Sequence, residues 1–144
     1  MSEYTLALKE NPGSEDYEFL NQQLREYNAE KVGYRDARPL AVYVYDEQGQ
    51  VVGGLFGMTF WGWLAIDLLW LAEAVRGQGY GSQLIELAEQ EALKRGCQQA
   101  LVDTLSFQAP DFYLKHGYQV FGKLSGFAGT HERFYFFKVL QRIG

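Results

Sequence analysis

The stretch Val75-Arg76-Gly77-Gln78-Gly79-Tyr80-Gly81-Ser82 constrains this chain more than any other. Three glycines fall within five positions, after a nearly unbroken apolar run and before an amphipathic segment. An apolar run of that kind suits a central strand covered on both faces, and the segment after it has a helical period, so the glycines make a strand-to-helix turn. Glycine permits a backbone approach that a Cβ would block, and a helix start leaves several N–H groups without acceptors. Such a turn suits an anion. Phosphate oxygens accept those N–H bonds, the helix dipole adds favourable potential, and Arg76 adds a full charge at the edge.

Two familiar phosphate motifs do not fit. A Walker A loop needs Gly-Lys-Ser/Thr after the glycines, and none is present. A dinucleotide fingerprint needs a third glycine three positions after the second, where this chain has Ser82 or Leu84. Asp103 lies at a distance that would suit a ribose ligand, but the preceding strands form a meander and not a βαβ series.

Along the chain, residues 4–8 alternate weakly and read as a first strand. Ser14, followed by Glu15 and Asp16, marks a helix start, and Tyr17, Leu20, Leu24 and Tyr27 form one stripe expected to be buried on a helix ending near Asn28. Residues 28–39 have no period and read as a loop. Residues 40–46 and 51–59 form a hairpin over Gln48-Gly49, and residues 61–73 form the central strand. The helix after the glycine turn runs to Arg95 and closes on Gly96, with Tyr80, Leu84, Leu87, Ala88 and Ala92 on its apolar face and Glu91 misplaced within it. Residues 100–104 form a strand, 109–116 a short helix ended by Gly117, and 118–124 and 133–140 two final strands. No repeat, linker or charge block divides the chain, so a single domain over residues 1–144 is expected.

Composition narrows the function. The net charge is −5, which leaves no electrostatic footprint for a nucleic-acid backbone. Cys97 is the only cysteine and His116 and His131 the only imidazoles, so neither a disulfide framework nor a metal site is expected. Cys97 reads as a small packed residue. The longest apolar stretch, residues 64–72, is broken by Asp67 and too short to span a bilayer, and the N-terminus lacks an apolar run of signal-peptide length. The expectation is a cytoplasmic protein with no membrane partner. Phe134, Tyr135, Phe136 and Phe137 form an aromatic strand with two readings, burial or contact with a second copy in a homodimer.

Arg76, Gly79 and Gly81 match the pattern Arg/Gln-x-x-Gly-x-Gly/Ala. Ala109-Pro110-Asp111-Phe112-Tyr113-Leu114-Lys115-His116-Gly117-Tyr118 matches Ala-x-x-Phe-Tyr-x-Lys-x-Gly-Phe/Tyr. With both motifs in order, the chain resembles the GNAT superfamily of N-acetyltransferases, by motif over residues 61–140 and by element order over the first sixty. The resemblance implies an α/β (α+β) fold: a mixed, mostly antiparallel sheet flanked by helices, its fourth and fifth strands splayed apart. It implies acetyl-coenzyme A as co-substrate, with no metal. The pantetheine arm would lie between the splayed strands, against the backbone near Leu71 and Ala72, and the pyrophosphate would lie on the amides of Arg76, Gly77, Gln78, Gly79, Tyr80, Gly81 and Ser82. Many members bond the pantetheine with an asparagine after the fifth strand; here Ser106 stands at about that position, near Gln108.

The same resemblance implies direct transfer to a primary amine in a ternary complex. Tyr113, by itself an ordinary packed aromatic, resembles the tyrosine that donates a proton or hydrogen bond to the departing thiolate. With reference pKa values of about 10 for tyrosine and 8.5 for a cysteine-like thiol, full proton transfer is uphill by roughly 2 kcal/mol, which favours the hydrogen bond. Asp67 resembles the carboxylate that takes the amine's proton through water, with Glu73 as competitor and a structural hydrogen bond as the plainer reading. Residues 28–39, with Tyr34, Arg35, Asp36 and Arg38, are expected to wall the acceptor site together with residues 124–133. A non-catalytic acyl-coenzyme A module on the same fold is the alternative, and the presence of Tyr113 favours the enzyme.

Overall fold

The computed structural model describes residues 3–34 and 36–140. It comprises two compact units, Met1–Arg35 and Asp36–Gly144.

The first unit is an extended lead-in followed by helix α1, Glu15–Val32. Glu15, Asp16 and Glu18 in its first turn complement the helix dipole, and Gly33, left-handed at φ 102°, closes it by donating its N–H to Ala29 O at 2.6 Å. The helix therefore runs a full turn beyond Asn28, through part of the expected loop. Residues 4–8 carry no strand: a strand exists only through a paired ladder, and five weakly alternating residues have none here. Tyr17, Leu20, Leu24 and Tyr27 are exposed and not buried, since a lone helix has no second element of its own unit to cover them.

The second unit is a six-stranded mixed sheet built from β1 (Arg38–Tyr45), β2 (Val51–Phe60), β3 (Trp63–Leu71), β4 (Gln99–Leu105), β5 (Gln119–Phe127) and β6 (His131–Val139), in the spatial order β1-β2-β3-β4-β6-β5. Only the β3–β4 pair is parallel. The β1–β2 hairpin forms where expected, because Asp46 Oδ1 accepts the N–H groups of Gln48 and Gln50, both at 2.9 Å, around Gly49. Helix α2 (Tyr80–Lys94) joins β3 to β4 and helix α3 (Pro110–Lys115) joins β4 to β5.

Leu55, Leu64 and Phe136 from the sheet, Leu84, Ile85, Ala88 and Ala92 from α2, and Tyr113 and Tyr118 form one continuous core. The buried face of α2 includes Ile85 and excludes Leu87, which is 51% exposed. Glu91 is no misfit: its carboxylate receives Arg95 Nε at 2.9 Å, and Arg95 Nη1 also reaches Pro39 O and Thr59 Oγ1, both at 3.0 Å. Cys97 is packed at 3% exposure, and burial, followed by the charge of Asp36, pushes its thiol up from the ordinary range, as befits an inert residue. Residues 124–133 are mainly the ends of β5 and β6 around a tight turn, not the open loop expected there.

Two strand details open a gap in the sheet. Phe56 pairs with Leu68 and Gly57 with Ile66, which leaves Asp67 as the extra residue of a β-bulge. The β3–β4 ladder has three rungs, Trp63↔Gln99, Leu64↔Ala100 and Ala65↔Leu101, and stops there. Beyond Ala65 the two strands part, and past the bulge Leu68 and Trp70 are exposed, so the second half of β3 is not covered on both faces.

Candidate functional site

The strands part toward their C-terminal ends and open a cavity of about 670 Å³ between them. Asp67, Leu71, Arg76, Asp103, Gln108 and Tyr113 are among the residues that line it. Ala72 donates its N–H to Val52 O at 2.8 Å, so that amide faces β2. In an antiparallel ladder the direction alternates, which turns the N–H groups of Leu69 and Leu71 away from β2 and into the gap. Of the two backbone positions the resemblance implied, Leu71 faces the gap and the Ala72 amide does not. The Leu71 carbonyl is already engaged, accepting Arg76 Nε at 2.9 Å.

At the mouth of the gap a single 3-10 turn, Glu73–Val75, leads into the glycine segment. Gly77 and Gly79 are left-handed at φ 74° and 87°, with nothing within 4 Å of where a Cβ would stand. The first backbone N–H at the start of α2 with a carbonyl acceptor is that of Gln83, to Gly79 O at 3.2 Å. Among the described residues the amides from Gly77 to Ser82 have no backbone acceptor, which is the donor set an anion needs. Gly81 differs from its neighbours: a Cβ there would lie 3.0 Å from Phe112 Cε1, so its small size lets α2 pack against α3. The side chains of this turn serve its own shape. Gln78 Nε2 donates to Ala74 O at 3.0 Å, and Ser82 Oγ lies 3.0 Å from His116 Nε2.

Tyr113, in the middle of α3, is 6% exposed and packed edge-on against Phe112 and Tyr118. No fully buried polar side-chain atom lacks a partner among the described residues, and no bond is made by the Tyr113 hydroxyl, so that hydroxyl opens on the cavity it lines. Burial, with a smaller contribution from the Asp103 charge, pushes its pKa up to about 12. Tyr118 is also raised, chiefly by burial, and donates to Glu89 Oε2 at 2.8 Å beside Lys138. Both tyrosines hold their protons more tightly folded than unfolded. Their contribution to stability is therefore complete below pH 10 and is lost as pH climbs toward the folded values. Urea midpoints should hold steady from about pH 8 to 9.5 as far as these groups are concerned. Above pH 10 they should fall, with Tyr113 alone costing about 1.4 kcal/mol per pH unit. Undiminished stability at pH 11 would contradict the burial assigned to these rings.

Asp67 is exposed at the bulge and turned to the cavity, so the structural hydrogen bond considered for it is absent among the described residues. Glu73 lies exposed on the 3-10 turn outside the cavity lining. Ser106 Oγ accepts the N–H of Glu132 at 3.0 Å and stands 3.2 Å from His131 Nδ1, so it is occupied within the protein. Gln108 spends its carbonyl oxygen on Thr104 Oγ1 and Leu105 N, at 3.1 and 2.8 Å, while its amide nitrogen has no partner among the described residues.

Of the expected acceptor wall, Asp36 and Arg38 share a unit with this cavity and are not among its lining residues. Arg35 lies outside the described residues, and Tyr34 belongs to the first unit. Asp36 Oδ2 accepts the N–H of Trp61 at 2.9 Å, and Arg38 opens β1 opposite Thr59. Both stand toward the end of the sheet where β3 begins, Arg38 in register with Thr59 and so level with Leu64, roughly 10 Å along the strand from Asp67. Asp36→Asn is accordingly expected to loosen the Trp61 turn by about 1 kcal/mol, read as a lower thermal midpoint, without moving either substrate's KM. Asp103 on β4, weighed in the sequence only as a ribose ligand of the rejected dinucleotide reading, is placed beside the gap once the strands are seen to part.

A family model described as the acetyltransferase (GNAT) family matches residues 4–118. An acetyltransferase of Agrobacterium fabrum is 41% identical over 98 residues, covering 68% of this chain and 72% of that one. The blasticidin-S acetyltransferase of Streptomyces morookaense is 46% identical over 89 residues, 59% of this chain and 65% of the relative. The crystal structure of an acetyltransferase from Bacillus cereus superposes with a TM-score of 0.78 at 34% identity, over 93% of this chain and 98% of its own. The chain belongs to the GNAT family of acetyltransferases and is an N-acetyltransferase enzyme with that family's mixed α+β sheet.

Proposed function

We propose that this enzyme moves the acetyl group of acetyl-coenzyme A directly onto a primary amine while both are bound, within a single catalytic domain over residues 1–144. The observation that carries this reading is the conjunction of a gap between β3 and β4, a turn of unpaired amides at its mouth and, in its wall, a buried tyrosine whose unpartnered hydroxyl opens on the cavity. The amides from Gly77 to Ser82 hold the pyrophosphate, and Arg76, fixed to Leu71 O, adds its charge. The cleft-facing amide of Leu71 and the amide nitrogen of Gln108 receive the pantetheine, with Gln108 in place of the family's asparagine because Ser106 is committed to Glu132 and His131.

In the transfer the amine nitrogen bonds to the thioester carbon, the carbon–sulfur bond breaks, and the amine's proton leaves to Asp67 or to a water beside it. Tyr113 donates a hydrogen bond to the sulfur as negative charge gathers there. With its pKa pushed up to about 12, giving the proton up to a thiolate of pKa about 8.5 would be uphill by about 5 kcal/mol, so Tyr113 acts by stabilising charge and not by early protonation. A thiol-release assay with acetyl-coenzyme A over polyamines, aminoglycosides, arylamines and basic peptides tests the reading. Thiol should appear mole for mole with an acetylated amine. Coenzyme A binding without turnover across the whole panel would make the chain a binding module.

A further inference from the structure

Past the last rung, Ala65↔Leu101, the strands part, and one carboxylate from each, Asp67 on β3 and Asp103 on β4, lines the cavity where the fork opens. Both are exposed and both line the cavity. Asp67 makes no hydrogen bond or ion pair among the described residues. Asp103 uses only one oxygen: Oδ1 accepts Arg133 Nε at 2.9 Å and Nη2 at 2.6 Å, which leaves Oδ2 unused. Arg133 is itself seated over the rings of Phe127 and Tyr135, 5.8 and 5.3 Å from their centroids, so Asp103 is held in place. The third group is the Tyr113 hydroxyl, on a side chain more than nine-tenths buried, unpartnered and open on the same cavity. The Asp103 charge helps keep the proton on it, which places the two groups within electrostatic reach. Arg76 is bonded to Leu71 O beside the glycine turn and suits phosphates, while at the fork Asp67 is unpaired and Asp103 shares its charge with Arg133 but keeps Oδ2 free.

We propose that the fork selects the acceptor by charge, receiving an ammonium between Asp67 and Asp103 and rejecting α-amino acids, with Asp103 as the specificity-determining residue. The proposal rests on the acetyl-transfer reading. An alkylamine arrives at neutral pH as a cation, and two fixed carboxylates draw it to the place where Tyr113 and the thioester meet. An α-amino acid brings its own carboxylate two bonds from the nitrogen, against both aspartates, and like charges brought together in a partly enclosed site are strongly disfavoured.

The test compares amines with their α-carboxylated counterparts, 1,5-diaminopentane with lysine and phenethylamine with phenylalanine, in the thiol-release assay. Wild type should favour the decarboxylated member of each pair by at least about tenfold in kcat/KM. Asp103→Asn should bring that ratio toward one and Asp103→Glu should restore it, with coenzyme A affinity by calorimetry unchanged within about twofold. Circular dichroism checks that each variant is folded, and Asp67→Asn provides a second lowering of the ratio should Asp103→Asn not fold. A ratio near one in wild type, or one that neither asparagine variant moves, overturns the proposal. If neither pair turns over, calorimetry of 1,5-diaminopentane and lysine on the coenzyme A complex decides, and equal binding overturns it. Loss of coenzyme A binding in wild type would instead defeat the acetyl-transfer reading beneath it.

Discussion

Tyr113→Phe is expected to lower kcat by about ten- to a thousandfold while leaving coenzyme A affinity within about twofold of wild type. The substitution removes one oxygen that has no protein partner among the described residues, so the packing against Phe112, Tyr118 and Phe136 survives and the fold should stay intact. What is lost is a donor aimed at charge that develops only as the carbon–sulfur bond breaks, and such a loss appears in kcat and not in ground-state binding. The raised pKa adds a second signature: because the phenol keeps its proton to about pH 12, wild-type kcat should show no fall near pH 10 from ionisation of this residue. Steady-state kinetics with both substrates varied reads both. Wild-type turnover in the phenylalanine variant would make Tyr113 structural.

Gly79→Val should weaken coenzyme A binding at least about tenfold, or about 1.4 kcal/mol. Gly79 sits at φ 87°, a conformation that a β-branched residue adopts only under strain, so the turn must rearrange and its amides lose their common aim. Gly81→Val should behave differently. Its backbone is not left-handed, and its new side chain would press on Phe112, so the larger effect is a loss of stability of about 1–3 kcal/mol from overpacking. Calorimetry on folded protein together with urea unfolding separates the two. Unchanged affinity in Gly79→Val would remove the turn from the binding site.

The contrast between these glycines shows how far residue types can be read. They suffice for the turn, because few other segments need three glycines between a strand and a helix. They do not say that Gly77 and Gly79 are there for backbone conformation and Gly81 for the approach of Phe112, since that neighbour is distant in the chain. The fork is implied by family resemblance, but its cause, a bulge at Asp67 and a ladder that ends at Ala65, is a matter of register, and register is set between strands. Ile85 displaces Leu87 from the core because a step of about 100° per residue turns the helix face, and the surrounding pattern tolerates either residue. The full length of α1 is legible, for Lys31 and Gly33 form an ordinary helix end that a boundary at Asn28 leaves out. Asp103 carries the same signal as Asp67, a carboxylate interrupting an apolar strand, and only the parting of β3 from β4 brings both to one cavity.

The central claim is that acetyl-coenzyme A lies in the fork with its phosphates on the glycine turn. Backbone amide resonances followed during a titration of the whole protein with coenzyme A test it most directly. The amides of Gly77 to Ser82 and of Leu71 should shift together at one saturating concentration, while those of Ala72, bonded to Val52, and of Asp36 and Arg38 at the far end of β3 should shift little. Shifts clustered at Asp36, Arg38 and Trp61, with the glycine turn unmoved, would contradict the account.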